Sequence, residues 1–132
     1  MTKYLCTDAY YNDDSAIKTG FALAFKIAKE TDGEIDIVLA KLDSFKVQLK
    51  SLIGTQNKRE LDVKRKCNFR GVDIKLYSQA TIKKLSSSST MLLVCTSDNI
   101  TKSLEFISID SCVVVPLQDS NAKFWQSYTR AK

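Results

Sequence analysis

The chain has 132 residues and a formal net charge of +5, with 44% hydrophobic and 27% charged residues. That describes one ordinary globular domain over 1–132, too short for two full cores and too apolar for a disordered tail. It contains no histidine, which excludes histidine-based triads, HExxH zinc sites and imidazole acid–base chemistry, and it has no run of about 18 apolar residues to cross a membrane.

Residues 3–7 form a short apolar run ending at Thr7-Asp8 and read as a first strand. The opening residues lack the long apolar run and small-residue cleavage site of a secretory signal, so a cytoplasmic location is expected. Asp13, Asp14 and Ser15 are N-cap residues for a helix over 15–30. Its stripes Ile17/Phe21/Ala24/Ala28 and Ala16/Gly20/Leu23/Ile27 give a broad buried face, and Gly33 supplies the stop. Residues 34–42 are a second strand, apolar enough at Ile35 and Ile37-Val38-Leu39 to be covered on both faces.

Phe45, Leu49, Leu52 and Ile53 mark a second helix ending near Gly54, and the charged stretch 55–70 reads as a loop with some helix. Residues 72–77 alternate Val72, Ile74 and Leu76 with Asp73, Lys75 and Tyr77, the period-two pattern of an edge strand. A short helix over 80–85, a serine loop over 86–89 and a fourth strand over 90–95 follow. Then come a short helix over 100–107, a fifth strand over 111–117 and a tail in which Phe124, Trp125 and Tyr128 share a helical face. Strands alternating with helices predict parallel crossovers in a three-layer α/β domain with a five-stranded parallel sheet.

Of the four cysteines, Cys6, Cys95 and Cys112 lie in apolar runs, which suits buried thiols in a reducing compartment. No CxxC spacing suggests zinc, and no metal is expected. Cys67 lies among Lys64, Arg65, Lys66 and Arg70, and that surrounding charge predicts a lowered thiol pKa. Lys58, Arg59, Lys64, Arg65, Lys66 and Arg70 form the strongest basic cluster, a candidate contact for nucleic acid or another polyanion, interrupted by Glu60 and Asp62.

The run Tyr4-Leu5-Cys6-Thr7-Asp8, the helix and strand from Asp14 to Val38, Gly71-Val72-Asp73-Ile74, Met91-Leu92-Leu93-Val94 and Ser111 to Pro116 together resemble the universal stress protein family. The resemblance implies strand order 3-2-1-4-5 and a nucleotide cleft at the carboxyl ends of strands one and four. Its candidate residues are Thr7, Asp8, Val38, Thr96, Ser97, Asp98 and Ser108, and its ligand ATP or AMP. The family's G-x2-G-x9-G-[ST] phosphate motif is missing: the corresponding positions hold Cys95, Asp98, Ser108 and Ile109. The same strand order would leave strand five at an open edge, where Cys112, Val113, Val114 and Val115 are candidate homodimer contacts. No general base, nucleophile pair or metal set stands out. The expected function is therefore a non-catalytic sensing or protein-interaction module, dimeric and without a cofactor. A nucleotide binder and a polyanion binder through 58–70 are the alternatives.

Overall fold

The computed structural model describes residues 3–6, 14–40, 45–94, 100–115, 123–125 and 127. Its strands are β1 (Lys3–Cys6), β2 (Glu34–Leu39), β3 (Lys66–Phe69), β4 (Val72–Ser78), β5 (Ser87–Val94) and β6 (Ser108–Val115). The helices are α1 (Asp14–Glu30), α2 (Lys46–Ile53), α3 (Thr55–Lys64) and the single turn α4 (Thr101–Leu104), with a 3-10 turn at Ile82–Lys84. All five expected strands are present, and they run parallel in one α/β sheet with a sixth, antiparallel strand, β3.

The strand order is β1-β6-β5-β2-β4-β3, which corrects the expected 3-2-1-4-5. The first strand lies at the far edge beside β6 instead of at the centre, and β2 pairs directly with β5. Two further corrections follow. β6 has neighbours on both sides, so Cys112, Val113, Val114 and Val115 occupy an inner strand and are fully buried; the open edge that made them dimer contacts is absent. β4 is not an edge either, since β3 pairs along it. Its alternation arises because one of its faces is open to solvent.

β3 comes from the segment read as a loop. Two positive backbone angles, at Arg70 (φ 52°) and Gly71 (φ 87°), join Phe69 to Val72. A two-residue hairpin loop with both central residues at positive φ matches the twist of its flanking strands. The Asn68 side chain holds it, accepting from the Gly71 N–H at 3.2 Å and donating to Asp73 at 2.9 Å.

Helices cover the sheet unequally. On the first face, α1, α2 and α3 bury Ile17, Phe21, Ala24, Ala28, Leu49, Ile53 and Leu61 against every strand from β6 to β3. The two small alanines, fully buried in α1, let that helix lie close to the sheet. On the second face, the 3-10 turn, α4 and the tail bury Ile82, Ile100, Leu104 and Trp125 against Val38, Met91, Leu93, Cys112 and Val114. That second cluster includes no buried residue of β4 or β3. The connections leaving β1 and β2 run over the first face and move toward β4, whereas those leaving β4 and β5 run over the second face and move back. Opposite directions over opposite faces give all four crossovers one hand, as the chirality of such units requires. Among the described residues, no helix is long and apolar enough to cross a membrane.

Candidate functional site

Two regions could carry function: the carboxyl ends of the parallel strands and the uncovered second face of β2, β4 and β3. In open α/β sheets, ligands bind at carboxyl ends where neighbouring connections part to opposite faces. β2 leads to α2 on the first face and β5 to α4 on the second, so the chain parts between Leu39 and Val94, which are register partners. The neighbouring gap between β2 and β4 is closed by the Gln79 N–H, which donates to the Leu39 carbonyl at 3.1 Å. The turn that leaves β4 is held by Thr81, whose hydroxyl accepts from the Ser78 N–H at 2.8 Å.

Of the residues expected to bind nucleotide, Thr7, Asp8, Thr96, Ser97 and Asp98 lie outside the described residues. The strands that lead to them, β1 and β5, are separated by β6, which sets them about 10 Å apart instead of side by side. Val38 is fully buried in the second-face core. Ser108 begins β6 opposite Ser87, at the amino ends of the parallel strands, and its N–H donates to the Ser86 carbonyl at 3.0 Å. Val38 and Ser108 are therefore not brought together.

The basic cluster is dispersed as well. Lys58 is buried and ion-paired to Asp62 one helical turn on. Arg65 stands at φ 61° after α3 and donates to the carbonyls of Leu61 and Asp62, capping its own helix. Arg70 lies 5.1 Å from the Phe69 ring centroid at the hairpin turn. Arg59 is exposed on α3. Lys64 and Lys66 line a groove of about 410 Å³ together with Lys75, but Glu34, Glu60 and Asp73 line it too, so lysines and carboxylates balance. The Cys67 expectation reverses: burial, then Glu60 and Asp73, push its thiol up to about 11. Its basic sequence neighbours Lys64, Arg65, Lys66 and Arg70 are exposed, and burial is the largest effect on the thiol. Cys112 is likewise held protonated by complete burial.

The uncovered face is built by alternation. On β4, Val72, Ile74 and Leu76 point into the first-face core, which leaves Asp73, Lys75 and Tyr77 on the second face. Cys67 and Phe69 of β3 also pack inward, leaving Lys66 and Asn68 outward and exposed. Register then sets two rows across the strands: Glu34, Asp73, Asn68 and, one step along, Asp36, Lys75, Lys66. The half-buried Tyr77 closes the face against the second-face core.

Asp36 stands where this charged face meets that core, beside Met91 of β5. It is buried, and the Ser88 hydroxyl donates to its carboxylate at 2.6 Å. Burial raises its pKa, Ser88 and Lys75 lower it, and Asp32 raises it; burial is the largest effect. The Asp36 charge and burial also raise the Tyr77 phenol, burial first. Nearby, the Ser89 hydroxyl donates to Asp32, and a cavity of about 180 Å³ lies among Glu34, Asp36, Asp73, Lys75 and Ser87 to Ser89. Sequence reading passed over these residues. The signal was present, since Asp36 interrupts an otherwise apolar strand. Among the described residues, no group of three or more cysteine or carboxylate side chains is placed to hold a metal ion. No protein-family model, curated protein or solved structure matches the chain.

Proposed function

We propose that this protein is a non-catalytic interaction module whose docking surface is the uncovered face of β2, β4 and β3. The observation that carries this reading is the asymmetry of the sheet. The first face is capped from β6 to β3, whereas on the second the apolar layer stops at β2 and gives way to exposed Glu34, Asp73, Lys75, Lys66 and Asn68. Parallel strands are normally covered on both faces, so the area left open on β4 and at Glu34 of β2, widened by the antiparallel β3, is a surface available to a partner. Its charges are mixed and ordered in rows, which suits a protein surface bearing both signs better than a polyanion. The test is a photo-cross-linking residue placed at position 34, exposed on this face, in living cells, with position 18 on the exposed side of α1 as control. A discrete protein adduct at 34 and none at 18 is expected. No adduct at 34, or equal adducts at both, overturns the reading.

A second reading, an adenine-nucleotide site, is favoured by the parting of the chain between β2 and β5, the position where such folds take ligands. ATP or AMP at about 100 times its dissociation constant would then stabilise the fold by about 2.7 kcal/mol. An unchanged melting temperature at millimolar nucleotide removes this reading.

A further inference from the structure

We infer that the open face of β2, β4 and β3 binds a second copy of this chain, the acidic row of each copy meeting the lysine row of the other about a two-fold axis. The inference rests on the interaction-module reading and names its partner. Asp73 and Lys75 are exposed, two residues apart on the same face of β4, so their side chains stand about 7 Å apart along the strand. Their rows run across the sheet in register: Glu34 and Asn68 flank Asp73, and Asp36 and Lys66 flank Lys75.

Take a two-fold axis lying between the rows and parallel to them. Rotation by 180° about it exchanges the rows while keeping each residue's position across the sheet. Asp73 of each copy then faces Lys75 of the other, and the pair occurs twice. Asn68 of each copy, an amide, faces Lys66 of the other. A patch that complements itself in this way is what a two-fold interface requires, because both copies present the same surface. The one like-charge juxtaposition is Glu34 against Asp36, and Asp36 is buried with its carboxylate accepting from Ser88.

Other occupants fit less well. A polyanion would meet Glu34 and Asp73 as well as the lysines. An apolar helix would find only half-buried Tyr77 on these strands, since Val38 is fully buried in the second-face core and their other buried apolar side chains point into the first-face core.

The size of the face sets its class. Three strands span about 14 Å and seven residues about 23 Å, well below the roughly 800 Å² per partner of a stable complex. The association is therefore of the small, transient class, and it weakens as salt rises because exposed charges carry it.

Sedimentation equilibrium of the purified chain tests this. Self-association is expected in low salt, falling at least about threefold between roughly 0.02 M and 0.5 M salt. Asp73→Lys makes the β4 pair all positive and Lys75→Glu makes it all negative. Each alone should weaken self-association about tenfold or more. Mixed in equal amounts they should associate with each other, since lysine at 73 meets glutamate at 75 and Lys75 meets Asp73. Recovery to within about threefold of the parent is expected. Far-UV circular dichroism of each variant verifies the fold, and the salt series on the unaltered chain stands without any variant. A monomer at about 1 mM in low salt, or a mixture that stays monomeric, overturns the inference. If the chain stays monomeric but cross-linking at position 34 still captures a different protein, the interaction-module reading survives the failure of the dimer. If the chain stays monomeric and position 34 captures nothing, both fall.

Discussion

The half of the sheet made by β6 and β5 and the half made by β4 and β3 belong to one sheet yet end differently. In β6, Cys112, Val113, Val114 and Val115 are all buried, with alternate residues entering the two cores. In β4, only every second residue is buried, and the intervening Asp73 and Lys75 meet solvent. The difference lies in what reaches the second face. α4, the 3-10 turn and Trp125 cover β5, β6 and the end of β2, and no described element covers β4 and β3 there. Apolar burial on both faces is concentrated in β5 and β6, and the ordered charges are displayed on the other half.

The largest test of that division is Trp125→Ala. Trp125 is almost completely buried against the second face and packs edge-on to Phe124 at 5.6 Å. Removing so large a buried side chain should cost about 3–5 kcal/mol, read as a fall in urea midpoint without a change in slope. A loss below about 1 kcal/mol would mean that the tail contributes little to the covered half.

The boundary between the halves is tested at Asp36 and Ser88. Ser88→Ala leaves a buried carboxylate without its donor and should cost about 1–3 kcal/mol near neutral pH. The pH dependence has a definite sign. Burial raises the Asp36 pKa in the folded chain, so the unfolded chain releases this proton first as pH rises. Asp36 therefore costs nothing below the ordinary carboxylate range and destabilises the fold progressively up to its raised value. Asp36→Asn does not titrate, so its stability relative to the parent chain should grow across that window and then level off. Ser88 lowers the Asp36 pKa, so Ser88→Ala should carry the window to higher pH. A pH-independent difference for Asp36→Asn would show that the carboxylate is solvated.

Gly71→Ala probes the hairpin that makes the open half three strands wide. With φ at 87°, an alanine there is strained, and its Cβ would come within 3.1 Å of the Lys29 ammonium, the end of a flexible chain that can move aside. The backbone strain dominates, and a loss of about 1–2 kcal/mol is expected by chemical denaturation.

How much of this was legible in the sequence differs between the halves in the same way. Apolar runs such as Ile37-Val38-Leu39 and Val113-Val114-Val115 disclose strands because burial on both faces leaves an unmistakable composition. They say nothing about which strand lies beside which. The four residues of β1 would suit a central or an edge place equally, and the order inferred by resemblance put them at the centre. The hairpin was hidden because its turn is Arg70-Gly71 instead of an asparagine–glycine pair, and because Lys64, Arg65 and Lys66 make its approach look like solvated loop. The alternation of residues 72–77 was visible, but an open face and an open edge give the same pattern along one strand. Only the pairing of β3 with β4 separates the two.

The smallest expected effect is at Lys75, and its smallness matters. Lys75→Ala removes an exposed side chain, so at dilute, monomeric concentrations stability should change by no more than about 0.5 kcal/mol. What change there is has a sign. Lys75 lowers the Asp36 pKa, so its loss favours the protonated carboxyl further. The variant should match the parent below the ordinary carboxylate range and fall slightly behind as pH rises and Asp36 ionises without its cation. The same substitution should weaken self-association by a larger factor, because there Lys75 meets Asp73 of the second copy at both ends of the two-fold. A residue nearly silent in the monomer and strongly felt in association belongs to a surface, whereas equal losses in both would place Lys75 in the fold's own support.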